Sequence, residues 1–526
     1  MNKPANAPNP FKLELLEPRL LLSADPMTET VQAIVPDITE SVIVESLDSL
    51  DTHEQNNSVS LISQQSNDDP QESDDIIEET DFYDINVPDG KLSLDIISNH
   101  TLDLSDISED LTLLFDSTNT ISIKKIISND SPSLLGDADL QFSLDEIDTI
   151  IGGKGQNDFV FEEGTTFDGI IDSSLGENDT LSISGGDRIW EITGFNTGTV
   201  DNIDFLGIEN LKGGADNKDT FVFESSGHIS GTIDGGDAGF DTLSLLGKHH
   251  RVKYSAIDPN SGTVNRDNDI ITYTGLEPIF DNTDTTNRII GLSNSDDTDA
   301  VLSQNGSQLS LTGSTFEGIT FNNPSASLTI QGLEGTDTIT VQALDLDHTQ
   351  LIIEAENIIL PADNTIESSA DIYFNATDQD VKQITHTNNL QDRSAAIEIY
   401  GTIQTSQNIT LTASVLRNVD IHNDSNTTLD TETLSNAVVH MRNATINAAK
   451  FEVLASSDGV IITHNGMGNA KNDISDRVFA MIEESCQIAA NQVTIRHHVE
   501  QTIRQLDAMP IIIFLAIPRP GLKILI

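Results

Sequence analysis

Two stretches of this 526-residue chain copy each other. Residues 159–183 (FVFEEGTTFDGIIDSSLGENDTLSI) and 221–245 (FVFESSGHISGTIDGGDAGFDTLSL) align without a gap, with 11 of 25 positions identical. Inside each copy, short runs such as Phe-Val-Phe and Thr-Leu-Ser alternate apolar with small or polar residues. Gly, Asp and Asn clusters separate the runs at intervals of roughly 8–12 residues, the spacing of strands and tight turns. A unit this small cannot cover both of its faces, so it must stack on its neighbours. A repeat of short strands thus excludes most architectures before composition is considered.

The rhythm continues downstream. The likeness of the two copies extends upstream at a spacing of 61, from Ile147 to Ile208, and a weaker third start lies at Tyr273. From about Thr349 the glycines thin out, but Glu356, Gln407, Ala449 and Asn491 open similar apolar runs at spacings of 51, 42 and 42. Two rungs of about 21 residues would account for 42. These patterns predict an all-β fold, a parallel β-helix or β-solenoid of stacked repeats preceded by a disordered N-terminal region. A string of β-sandwiches fits less well, because no unit of about 100 residues carries its own tryptophan or tyrosine core. The expected organisation is a head at 1–26, an acidic disordered spacer at 27–90, Gly/Asp-rich repeats at 91–285, a further β repeat at 286–348, β-helix rungs at 349–500, and an apolar tail at 501–526. That tail continues no repeat. It reads either as a short cap or as a frame-shifted end, which would make the chain a fragment of a longer protein.

Charge narrows the function. With 85 acidic and 26 basic residues the net charge is −59, which would repel nucleic acid and anionic membranes. A single cysteine, Cys486, allows no internal disulfide and no cysteine-based zinc site. No apolar run approaches the roughly 20 residues of a membrane-spanning helix.

Near the start, residues 11–26 read FKLELLEPRLLLSADP. Glu14, Glu17, Pro18 and Arg19 interrupt the leucines, so this is neither an ordinary signal peptide nor a membrane span. The run Leu16, Glu17, Pro18, Arg19, Leu20, Leu21, Leu22 resembles the LEPR-XLL motif, which opens very large, repetitive bacterial surface or secreted proteins. That resemblance implies a sorting role for the seven residues, an extracellular or cell-surface location, and passage through secretion machinery.

The glycine-rich turns resemble the calcium-binding nonapeptides of RTX (hemolysin-type) secreted proteins, of the form G-G-x-G-x-D-x-apolar-x. The segment 152–159, GGKGQNDF, places its aspartate one position late, and those opening at Gly213 and Gly235 carry one extra residue. None is tandem, although calcium in such rolls sits between successive turns. If metal binds, Asp158, Asp179, Asp219 and Asp241 are the expected ligands; otherwise these aspartates cap turns and no cofactor is required.

Signs of catalysis are poor. His249-His250 and His497-His498 are adjacent pairs whose side chains would point to opposite faces of a strand. No nucleophile elbow, phosphate loop or metalloprotease motif is present. The expected function is a non-enzymatic, adhesin-like extracellular scaffold whose partners are glycans, matrix or cell-surface ligands. The alternatives are a calcium-responsive RTX-like module and a β-helix carbohydrate-active enzyme.

Overall fold

The computed structural model describes residues 100–125, 140–385, 392–423, 429–465, 470–483, 485–507 and 513–515. The motif at 16–22, the spacer at 27–90 and most of the tail lie outside the described residues. What is described is almost wholly β, a stack of strands paired layer on layer in two long sheets. Alternation dictates this arrangement. Leu111–Asp116 and Gln350–Ala355 both bury every second residue, so one face of each strand joins the core and the other meets solvent.

The thin turns of the stack contain one strand from each sheet. Thr149–Ile151 and then Gly169–Asp172 lie in the first sheet, paired in parallel. Asn157–Phe161 and Thr180–Ile183 lie opposite in the second. Inward residues form continuous columns: Phe159 stacks on Leu181, then Leu211, Ile233 and Tyr273. In the first sheet, fully buried Trp190 packs on Phe221 with ring centroids 5.4 Å apart. The core is therefore a narrow apolar shaft in which each layer covers the next.

A pure parallel helix does not describe the first two thirds. Among the described residues, four three-stranded antiparallel meanders interrupt it. Leu111–Asp116, Thr120–Lys125 and Leu140–Ser143 form the first, in the second sheet. Ile189–Gly194, Thr197–Val200 and Ile203–Leu206 form the next, in the first sheet. Lys248–Asp258, Ser261–Arg266 and Asp269–Thr274 return to the second sheet, and Ala300–Asn305, Gln308–Thr312 and Ile319–Asn322 to the first. Each of the last three is flanked on both sides by parallel neighbours, as where Gly169–Asp172 meets Ile203–Leu206 and Ile189–Gly194 meets Thr220–Phe223. Because the meanders alternate between sheets, the extra layers they add keep the two faces of the stack level.

From Thr338 to Asp507 every pairing between layers among the described residues is parallel. The strands form three columns, two of which merge in the long strands Thr445–Asn465 and Gln487–Asp507. The short strand Ile513–Leu515 then pairs antiparallel with Thr502–Arg504. Thr338–Val341 and Gln350–Ala355 continue the two existing columns, and Leu344–Asp345 starts a third between them. The recurrence at 42 is one whole turn rather than two rungs, since Ile409 lies on Phe451 and Phe451 on Val493. The recurrence at 51 is not a stacking register at all. Ile358 pairs with Ile397 in the first sheet, whereas Ile409 lies in the second. The 62-residue copies behave likewise: Phe159 belongs to the second sheet and Phe221 to the first.

No structural break falls at 285/286, which lies inside the strand Asp284–Gly291. The strand Gln487–Asp507 also runs past residue 500 in register with Thr445–Asn465. Its inward Val493 and Ile495 are 47% and 39% exposed, because among the described residues no further layer lies upon them.

Candidate functional site

The Gly/Asp turns are built around carboxylates that enter the stack rather than leave it. Asp219, directly before the strand Thr220–Phe223, is fully buried. Its Oδ1 accepts the main-chain N–H of Arg188 (2.8 Å), and its Oδ2 accepts Gly214 N–H and Asn217 Nδ2–H, each at 3.0 Å. The next layer repeats the arrangement, with Asp219 N–H donating to Asp241 Oδ1 at 2.7 Å. Further along, Asp297 N–H donates to Asp337 Oδ1 and Asp337 N–H to Glu356 Oε2, both at 2.9 Å. At the other sheet, Asn157 N–H donates to Asp179 Oδ1 (2.6 Å) and Asp179 N–H to Glu209 Oε2 (2.8 Å). The acid of one layer thus satisfies an amide at the corner of the layer beside it, where the main-chain ladder has no partner to offer. Glycine makes room for it. A Cβ on Gly213 would stand 2.3 Å from Asp219 Oδ2, and one on Gly332 2.3 Å from Asp337 Oδ2.

Burial pushes these acids up. Asp179 and Asp241 rise to about 6 and Asp337 to about 7, with neighbouring acidic charges adding to desolvation in each case. Glu317 rises to about 8 through burial and the charge of Glu277. Asp179 Oδ2, Asp297 Oδ2 and Asp337 Oδ2 are buried with no hydrogen-bond partner, which adds to the cost of ionising each carboxyl.

Of the four expected metal ligands, the structure separates Asp158 from the rest. It sits half-buried beside Gln156, whose Nε2 donates to it at 3.1 Å. Fully buried Asn157 takes the place that the aspartates hold in other turns, and this accounts for the aspartate that came one position late in the motif. Asp179 lies in one corner ladder, while Asp219 and Asp241 share another. Their oxygens accept N–H groups, and a calcium shell requires six to eight oxygen donors converging on one point. Among the described residues no group of three or more His, Cys, Asp or Glu side chains gathers in that way. The residues present do not fit the ion.

A different feature lies on the outer edge of the second sheet. Asn287, Ser327, Gln350, Asp371 and Gln407 line a shallow open groove of about 500 Å³. Asn287, Ser327 and Gln350 occupy one register position on successive layers. Asp371, directly before the strand Ile372–Thr385, and Asn408, the first residue of the strand Asn408–Asn423, continue the row. Ser327 Oγ donates to Asn287 Oδ1 at 2.8 Å, and Asn408 Nδ2 donates to Asp371 Oδ1 at 2.9 Å. Tyr373 Oη donates to the other Asp371 oxygen at 3.2 Å.

Comparison of the chain with family models, curated proteins and solved structures finds no match. The site therefore rests on its own geometry. Sequence reasoning missed the groove because its residues come from five separate layers and form no motif. The only linear trace is a polar residue just ahead of an alternating run, as at Gln350, Asp371 and Asn408, and that is equally the signature of an ordinary turn.

Proposed function

We propose that this chain is a non-enzymatic, adhesin-like scaffold that works outside a bacterial cell or on its surface, with residues 16–22 acting in its sorting through the secretion machinery. The observation that supports this reading best is the continuous stack itself, which presents outward rows of polar side chains at a fixed interval of about 4.8 Å. Such a surface suits many weak contacts in line with an extended partner. The partners proposed are glycans, matrix or cell-surface ligands. Among the described residues no helix is long and apolar enough to cross a membrane. Beads coated with the full chain are expected to be retained on matrix- or cell-coated surfaces well above beads carrying an acidic control protein. Equal retention overturns the reading, as does depolymerisation of any member of a polysaccharide panel.

The proposal includes folding without a cofactor. Main-chain ladders and apolar columns supply the stabilisation, and the turn carboxylates already hold amide donors. Far-ultraviolet circular dichroism of the full chain is expected to show the same β signal with millimolar calcium and with chelator. A coil-to-β transition on adding calcium would favour an RTX-like, calcium-responsive module instead.

A further inference from the structure

The groove along Asn287, Ser327, Gln350, Asp371 and Gln407 has a lining that narrows its ligand class. Its wall offers amides, hydroxyls and one carboxylate, with no cationic side chain among the lining residues. A chain of net charge −59 would not hold phosphate, sulfate or uronate polymers there. Its acceptors are set in place: Asn287 Oδ1 by Ser327, and Asp371 by Asn408 and Tyr373. The amides of half-buried Gln350 and exposed Gln407 make no hydrogen bond among the described residues, so both are open to a ligand. The strands beneath are paired on both edges, Gln350–Ala355 between Ser327–Gln331 and Ile372–Thr385, so a peptide could not add to the sheet here. Recognition must pass through side chains, and these repeat once per layer at about 4.8 Å, close to the length of one sugar unit in an extended chain. Paired amide and carboxylate groups are suited to vicinal hydroxyls.

We propose that this groove binds a linear, uncharged polysaccharide, with about one sugar unit to each layer of strands. The inference rests on the reading of the chain as an adhesive scaffold and supplies the ligand of that scaffold.

Isothermal titration of the full chain with three hexasaccharides tests it: a neutral β-linked glucose oligomer, a neutral N-acetylglucosamine oligomer and an oligogalacturonate, with an unstructured polar peptide as a fourth probe. At least one neutral oligomer is expected to bind, at least tenfold more tightly than the acidic one. The double variant Gln350→Ala/Gln407→Ala, altered only outside the core, is expected to lose at least tenfold of that affinity while keeping its circular dichroism. No binding of either neutral sugar, equal binding of oligogalacturonate, preference for the peptide, or an unaffected double variant each overturns the proposal. The bead assay separates the two levels. Retention that survives the double variant leaves the scaffold reading standing and removes the groove, whereas sugar binding without any retention does the opposite.

Discussion

Arg288→Met is expected to cost about 3–5 kcal/mol in the layers around the strand Asp284–Gly291. Arg288 and Asp281 are both fully buried, with Nη2 2.7 Å from Asp281 Oδ2. Tyr254 Oη donates to the same oxygen at 2.6 Å, and Thr283 Oγ1 to Oδ1 at 2.5 Å. Nη2 also reaches Thr283 Oγ1 at 2.9 Å, Nη1 donates to Asn322 O, and the guanidinium lies 5.1 Å from the centre of the Phe321 ring. Methionine fills the volume but leaves a carboxylate without its countercharge in the shaft. Removing both charges with Asp281→Asn/Arg288→Met should recover more than half of the loss, because the larger penalty is the orphaned ion rather than the missing pair. Long stacks do not unfold in one step, so local opening free energies from native-state hydrogen exchange on residues 248–258, 284–291 and 319–322 are the appropriate measure. A change below about 1 kcal/mol for Arg288→Met would mean that water reaches the pair and that the core is not dry there.

The buried turn acids set a pH dependence of comparable size. Their folded-state values lie above the ordinary carboxylate range: about 6 for Asp179 and Asp241, about 7 for Asp337 and about 8 for Glu317. A raised acid contributes stability that is fully present below its unfolded value, near 4, and is lost as pH rises through the folded value. Thermal stability is therefore expected to fall as pH climbs from about 4 to 8, with each acid withdrawing on the order of 1–3 kcal/mol. Half-exposed Asp116 and exposed Asp258, held low by hydrogen bonds from Thr118 and Ser261, act in the opposite direction but only at the acid end. Net charge of −59 gives a slope of the same sign, so one site must be isolated. Asp337→Asn does this. Asparagine keeps an oxygen for Asp297 N–H, and the protein already uses the same solution at Asn157, whose Nδ2 donates to Gly155 O at 2.8 Å. The variant should gain on the parent progressively from pH 4 to pH 8, with the two melting curves converging at the acid end. Parallel slopes for both proteins would show that Asp337 is not a buried acid that holds its proton.

How much of this was legible beforehand depends on the range of the interaction responsible. The strands Thr180–Ile183 and Gln350–Ala355 announce themselves through alternation, a property of neighbouring residues. The Gly/Asp turns were equally visible, and Asn157 shows that the turn demands a buried acceptor rather than a charge. Less visible was that Asp219 and Asp241 would each face an amide of the layer beside it instead of converging on an ion. Nothing in the order of residues connects Asn287 to Gln407, since only the stacking of five layers makes them neighbours.

The sequence by itself determined an all-β stack, because period-two patterning and turn spacing are local and leave one face of every strand in need of cover. Only the tertiary structure decided which sheet each copy joins. Copies 62 residues apart face opposite ways, meanders alternate between the two sheets, and the recurrence of 42 is one whole turn of the stack. The physical reason is that a strand's pattern states which of its faces is apolar but not which layer will cover it. That depends on how many residues intervene before the chain returns, and each meander changes that number.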